Sequence, residues 1–314
     1  MTESTNHIRY LTREGIDNGK WDQCVKNATN GWLYARSFFL DGICHWNALV
    51  ADDYEYILPL PIKKKYGFTY IYLPPFTGQL GIIGSGPVST ALTALFIRSI
   101  PKSFQLADML MNEQNPNIIL PEVFSIRRTN YIIPLQEDYE IIRNRYSKDA
   151  QKNIREAGAF SLVTSAGISL DRVVSLYKAA YGKKNKNLSD TDYKRFSILG
   201  RQCIEKGYGF SVGIMNPDNE LLAAAFFGKD EKRIYYILGA PGLMGRKYNA
   251  VHFLIDEVIK QFAGKELVFD FEGSDIPSVA QFYKKFNPVA MDYEFVRLNR
   301  LPWWLRWMKR NFDH

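Results

Sequence analysis

Cysteine is scarce. Cys24, Cys44 and Cys203 are the only three in 314 residues; they are scattered and odd in number, so a disulfide framework is not expected. There is no Cys-x-x-Cys pair. The four histidines (His7, His45, His252, His314) are dispersed, so no metal site is expected either. No apolar run reaches the ~18 residues of a membrane-spanning helix. The polar N-terminus lacks the apolar core of a signal peptide, and a cytoplasmic protein is the expectation. Acidic residues are in the minority, 33 Asp and Glu against 40 Lys and Arg, a net charge of +7. That surplus suits an anionic partner (a nucleotide, nucleic acid or membrane surface), and it equally suits plain solubility.

What is present is bulk and aromatic surface. The length exceeds a usual single domain, so two domains are expected. Hydrophobic residues make up 46% of the chain, and there are 19 Tyr and 20 Phe, which favour strand-rich cores. In the first half Ile8-Arg-Tyr-Leu-Thr12 reads as a strand and Trp21–Asn27 as a helix. Trp46–Pro61 reads as a hairpin turning at Asp52-Asp53. Pro59 and Pro61 mark its second strand as an edge or as interrupted there. A strand over Phe68–Leu73, a glycine-rich loop over Gln79–Pro87, a helix over Ser89–Ile97 and a strand near Phe104 follow.

The second half repeats this order. Tyr208–Met215 is a strand, Asn216-Pro-Asp-Asn219 a turn, and Leu221–Phe227 and Arg233–Leu238 are further strands. Gly239–Arg246 is a glycine-bearing loop. In Tyr248–Phe262, Val251, Leu254, Ile255, Val258 and Ile259 share one helical face, and Leu267–Phe271 is the next strand. Order and loop type match between the halves, which predicts two copies of one α/β unit, residues 1–145 and 146–314. Ser147 is a natural N-cap at that boundary; the helix it opens carries Lys148, Lys152 and Arg155 on one flank. Ser169–Lys206 supplies two more helices around the basic loop Gly182-Lys-Lys-Asn-Lys-Asn187.

Near the end of the second copy the strand Val268-Phe-Asp-Phe-Glu-Gly-Ser-Asp275 runs into three carboxylates and a glycine turn. Val279-Ala-Gln-Phe-Tyr-Lys-Lys-Phe286 follows as a helix. In an extended strand Asp270 and Glu272 share one face and Phe269 and Phe271 the other. Paired carboxylates raise each other's proton affinity, which suits a base near neutral pH. The plainer alternative is a polar strand face, or an ion pair with Lys284 or Lys285. Tyr283 is either an acid or a core tyrosine. Glycines and a helix N-terminus at Gly239–Asn249 would favour a pyrophosphate.

Three strands, a glycine loop, a helix, a further strand and then Phe-Tyr-x-Lys resemble the GNAT N-acetyltransferase fold. The tandem arrangement, with Lys152-Asn-Ile-Arg-Glu-Ala157 opening the second unit and Phe269-Asp-Phe-Glu-Gly-Ser274 late in it, resembles the FemAB-like branch. The resemblance implies an α/β (α+β) protein of two GNAT-like domains, each a mixed twisted sheet flanked by helices. It implies acyl transfer to an amine, from acetyl-CoA or another acyl-CoA, or from aminoacyl-tRNA to a small-molecule or peptidoglycan-type acceptor. Tyr283 falls at the position of the acid that protonates the leaving group, with Glu272 the base and Asp270 its orienting partner or a ligand of the substrate amine. Leu238, Gly239, Arg246, Lys247, Tyr248, Asn249 and Ala250 fall at the donor loop. Tyr72, Gln79, Lys152, Arg155, Ser274 and Lys284 are the acceptor candidates. The coenzyme A loop of the superfamily has the form Arg/Gln-x-x-Gly-x-Gly/Ala, whereas Asn249 and Val251 stand where the small residues belong. Phe282 and Phe286 keep the FemAB Phe-Lys-x-x-Phe spacing with Tyr283 in place of the lysine.

Leu301-Pro-Trp-Trp-Leu-Arg-Trp-Met-Lys-Arg-Asn-Phe312 reads as an amphipathic helix able to lie on an anionic inner-membrane surface or to pack on the body. The overall expectation is an acyltransferase. The alternatives are a non-catalytic GNAT-like module binding an anionic ligand, and a peripheral membrane protein working through this tail.

Overall fold

The computed structural model describes residues 7–65, 67–185 and 187–302. The elements run β1 (Ile8–Leu11), α1 (Asn18–Asn27), α2 (Ser37–Ile43), β2 (His45–Ala51), β3 (Tyr56–Lys65), β4 (Phe68–Ile71), β5 (Ile83–Gly84), α3 (Thr90–Ser99) and β6 (Phe104–Leu110). The chain continues through β7 (Val123–Pro134), α4 (Tyr139–Asn144), α5 (Lys148–Gly158), β8 (Val163–Ala166), α6 (Leu170–Tyr181) and α7 (Asp190–Glu205). Then come β9 (Gly209–Met215), β10 (Leu221–Lys229), β11 (Arg233–Pro241), α8 (Ala250–Phe262), β12 (Val268–Asp270), α9 (Pro277–Lys284) and β13 (Val289–Asn299). Among the described residues no helix is long and apolar enough to cross a membrane.

The chain divides into two compact units. Unit 1 is the chain up to Arg128 together with the stretch from Asp292 onward; unit 2 is Thr129–Met291. The boundary read from the sequence at Ser147 therefore lies within unit 2, and the last strand returns to unit 1. The amphipathic helix expected over Leu301–Phe312 lies, from residue 303 on, outside the described residues.

In unit 1 the strand order is β1-β2-β3-β4-β6-β13, antiparallel throughout except that β4 and β6, joined through α3, are parallel. In unit 2 it is β8-β9-β10-β11-β12-β7, antiparallel except that β11 and β12, joined through α8, are parallel. Each sheet thus has the same plan: a meander, one helical crossover to a parallel strand, and an antiparallel closing strand. The repeat inferred from the sequence is one of topology. In each unit a pair of helices follows the first strand, α1 and α2 or α6 and α7.

Local chemistry explains the ends of several elements. Ser89, Ser147 and Ser189 cap α3, α5 and α7 by accepting from the amides of Leu92, Ala150 and Asp192. Asp192 returns a bond to the Ser189 amide, completing a capping box. β3 runs unbroken through Pro59 and Pro61, which face Ala48 and Trp46 of β2. On its other side β3 meets β5 only at Tyr56–Ile57 and β4 only from Ile62 onward, so the prolines occupy a local edge where no ladder donor is needed. Each unit has its own core. Leu58, Phe96, Ile97 and Val296 pack in unit 1; Phe227, Leu254, Val258, Phe269 and Phe286 pack in unit 2. Leu254, Ile255, Val258 and Ile259 of α8 are buried on the face the helical period marks, with Val251 partly buried.

Candidate active site at the parting of two parallel strands

The parallel pair in unit 2 is short. β11 and β12 share only Arg233↔Val268, Ile234↔Phe269 and Tyr235↔Asp270, about 10 Å of ladder. Beyond that point β11 continues with β10 to Pro241, while the chain after Asp270 stays with β7 through the Phe271 amide on the Tyr131 carbonyl at 2.9 Å. Across from β10, Phe226 faces Leu238 and Phe227 faces Tyr236, so Ile237 is an extra residue and β11 bulges where the strands part. The carboxyl ends of parted parallel strands are where open α/β sheets take ligands. The loop after β11 and the turn after β12 both lie at this end.

The carboxylates differ from the sequence expectation. β12 stops at Asp270, so Asp270 and Glu272 do not share a strand face. Phe269, Asp270 and Phe271 are all buried. Asp270 Oδ2 receives the Arg233 guanidinium at 2.6 Å in a buried ion pair, and Asp270 Oδ1 receives the Glu272 amide at 2.8 Å. Asp230 anchors the start of β11, accepting from the amides of Lys232 and Arg233 and from the Tyr235 hydroxyl. Glu272 is partly exposed and has φ +66°, followed by Gly273 at φ +65°. A Cβ on residue 273 would lie 2.6 Å from the Thr129 carbonyl of β7. Two successive left-handed residues therefore reverse the chain against β7, with Asp270 holding the Glu272 amide.

Tyr283 lies in the last turn of α9, and it is buried. Its ring stacks on Phe271 at 4.6 Å and meets Tyr131 and Tyr236 at 6.4 Å each. Desolvation pushes its pKa well up, and Tyr177, Glu272, Tyr181 and Asp270 add to the rise. Tyr236 is raised for the same main reason, with Tyr283, Tyr181 and Tyr177 contributing. Both phenols are thus neutral donors at physiological pH. Tyr177 and Tyr181 of α6 lie near enough to both phenols to add to the rise. Cysteine plays no part here: burial pushes the Cys24 and Cys203 thiols up to about 12.

In the loop between β11 and α8 many of the amides a pyrophosphate would need are already engaged. The amides of Gly242, Gly245, Lys247, Tyr248, Asn249 and Ala250 all donate to backbone carbonyls. A Cβ on residue 242 would lie 2.5 Å from the Leu221 carbonyl, and one on residue 245 only 1.8 Å from that of Leu222. These glycines press the loop onto β10. Leu238 is buried, Gly239 lies against the Tyr236 hydroxyl, and Ala250 is buried at the start of α8. Asn249, at φ +50°, is the N-cap of α8, and its side chain reaches Glu156 at 3.4 Å. Arg246 and Lys247 are exposed, with the Lys247 ammonium 5.8 Å from the Tyr248 ring.

No protein-family model and no curated protein matches the chain, but solved structures do. FemX matches with a TM-score of 0.66 at 12% identity, over 91% of this chain and 96% of that one. A conserved protein of unknown function from Bacteroides thetaiotaomicron matches at 0.61 and 12%, over 93% and 99%. The C-terminal DUF2156 domain of a putative lysylphosphatidylglycerol synthetase from Agrobacterium fabrum matches at 0.56 and 10%, over 90% and 92%. The chain has a GNAT fold of the FemAB-like type. Each GNAT-like unit carries one parallel strand pair, and the phenol–carboxylate cluster belongs to the second.

The acceptor candidates scatter across the two GNAT-like units. Ser274 Oγ accepts the Ile276 amide at 3.1 Å in the turn leading to α9, and the Lys284 ammonium lies 5.8 Å from the Tyr131 ring; both adjoin the cluster. Lys152 and Arg155 are exposed on α5, Lys152 being 3.7 Å from Glu156. Tyr72 and Gln79 belong to unit 1. Tyr72 lines a cavity of about 10 Å³ beside Pro59 and Pro61, room for about one water, and Gln79 is buried with its Oε1 on the Glu113 amide at 2.7 Å. The sequence reading missed Tyr236, Tyr177, Tyr181 and Arg233. The i, i+4 spacing of Tyr177 and Tyr181, and the pair Tyr235-Tyr236 entering the loop, were the available signals.

Proposed function

We propose that the protein is an acyltransferase that moves an acyl or aminoacyl group onto an amine, with the chemistry in unit 2. The observation that carries this reading is a partly exposed carboxylate, Glu272, near enough to a buried, neutral phenol, Tyr283, to raise its pKa, at the parting of β11 and β12. Transfer to an amine needs a base for the ammonium proton and an acid for the leaving group. Glu272 receives the proton as the amine attacks the donor carbonyl. Tyr283, held protonated by desolvation, gives its proton to the departing oxygen or sulfur as the carbonyl–leaving-group bond breaks. Asp270, committed to Arg233, holds the backbone of Glu272 in place.

The closed amides of the β11–α8 loop favour an ester donor of the aminoacyl-tRNA kind over coenzyme A. The FemX likeness supports the same choice, and the lysylphosphatidylglycerol synthetase likeness supports an acceptor at the cell envelope. Thermal-shift titration with charged tRNA and with acetyl-CoA tests the donor. A ligand at about 100 times its Kd stabilises by about 2.7 kcal/mol, and acetyl-CoA alone shifting the transition would reverse the donor assignment. With the donor in hand, Tyr283→Phe should lower kcat by about 10²–10⁴-fold while the melting curve is kept. Unchanged turnover would remove Tyr283 from the mechanism.

A further inference from the structure

One end of the unit 1 sheet gathers positive charge from three separate stretches. His45 pairs with Ile62, Lys64 with Thr69, and Thr69 with Phe104, and the Arg300 amide donates to the Gln105 carbonyl at 2.8 Å. Residues 43–46, 62–69, 99–105 and 299–302 therefore meet, and together they contain Lys63, Lys64, Lys65, Lys102 and Arg300 with no aspartate or glutamate. Glu122, which shares a cavity wall with Arg300, is paired with Arg98 at 3.0 Å.

The β3–β4 hairpin is exposed on both faces at this end. Lys63, Lys64 and Lys65 are exposed although consecutive strand residues point to opposite sides, and Phe68 beside them is 38% exposed. The Lys63 ammonium lies 5.5 Å from the Tyr72 ring. None of these residues belongs to the phenol–carboxylate cluster of unit 2. The described chain leaves from this same end at Pro302, and the sequence continues Trp303-Trp-Leu-Arg-Trp-Met-Lys-Arg-Asn-Phe312.

We propose that this hairpin end of unit 1 docks on an anionic phospholipid bilayer. Lysines act as point charges toward a diffuse layer of headgroups, and an exposed phenylalanine among them can enter the interface. Tryptophan and basic residues in the sequence that follows are the composition of a membrane-interface segment. Lipid binding needs no substrate, so its outcome is separate from that of the transferase reading.

Sedimentation of the full chain with vesicles tests the proposal. The protein should bind vesicles of phosphatidylcholine mixed with phosphatidylglycerol and not pure phosphatidylcholine, and added salt should release it. Each lysine near an anionic surface contributes about fivefold, so the variant Lys63→Ala/Lys64→Ala/Lys65→Ala should bind about 100-fold more weakly with an unchanged melting curve. Phe68→Ser should also weaken binding without altering the salt dependence. Equal binding by the triple variant, or lysine-dependent binding to tRNA with none to vesicles, would overturn the proposal.

Discussion

Two ionisable side chains of similar sequence context have opposite fates in unit 2. Asp270 and Glu272 are two residues apart, yet one is sealed against Arg233 and the other remains accessible. Removing one partner of such a buried pair typically costs about 3–5 kcal/mol, so Asp270 serves structure first and positions Glu272 second. His252 shows the same dependence on surroundings. It lies on α8 with its Nε2 3.3 Å from Asn153 and its ring against Phe282 and Phe286. Desolvation pushes its pKa down to about 4; Lys285 acts in the same direction and Asp149 against it. Between about 4 and the ordinary value near 6.5 the unfolded chain binds a proton that the folded chain refuses, so stability must fall as pH drops through that window. His252→Gln should flatten this fall when melting temperatures are compared at pH 7 and pH 5. Identical pH slopes for the two proteins would show that His252 contributes nothing.

At the scale of elements, the loop from β11 into α8 shows why a glycine pattern is ambiguous. In sequence, Gly239-Ala-Pro-Gly-Leu-Met-Gly245 suits close approach of either a phosphate or a neighbouring strand. The structure uses two of these glycines against the carbonyls of β10. Gly245→Ala would place a methyl 1.8 Å from the Leu222 carbonyl, so the loop must move and the first turn of α8 with it. We expect a loss of about 1–3 kcal/mol by urea denaturation. Full stability in this variant would mean that the loop is free to lift from β10.

Besides the short β5 and β8, two long strands, β7 and β13, escaped the sequence reading, and for these two the reason is electrostatic. β7 carries Arg127-Arg128 and β13 carries Asp292, Glu294 and Arg297, so neither shows a clean apolar alternation. Their charges find partners far away in sequence: Arg297 clasps Asp108 with bonds of 2.6 and 2.7 Å, Arg127 lies 3.7 Å from Asp292, and Glu294 accepts the Ile118 amide. Strands with well-marked turns and uninterrupted apolar patterns, such as β2, β9 and β10, were legible to within a residue or two.

For the molecule as a whole, the exchange of the closing strand matters most. Unit 1 takes its last strand from the end of the chain, and Val296 and Leu298 are part of its core. The partly buried Arg297–Asp108 pair ties that strand to β6. Arg297→Ala should leave Asp108 unpaired and cost about 3–5 kcal/mol. In hydrogen exchange, Phe104–Leu110 should lose protection before Leu221–Lys229 of unit 2 does. Simultaneous loss in both segments would mean that the units unfold as one.

The sequence by itself determined many of the elements, the Ser147 cap, the turns and the repeated plan, because these depend on residues close together along the chain. It also marked the corner holding Glu272 and Tyr283. Only the tertiary structure decided which strand closes each sheet, that Asp270 is sealed by Arg233, that Tyr131, Tyr236 and Phe271 pack around Tyr283, and that the loop glycines face β10. Strand pairing and desolvation are set by partners tens to hundreds of residues away, and local pattern carries no record of them.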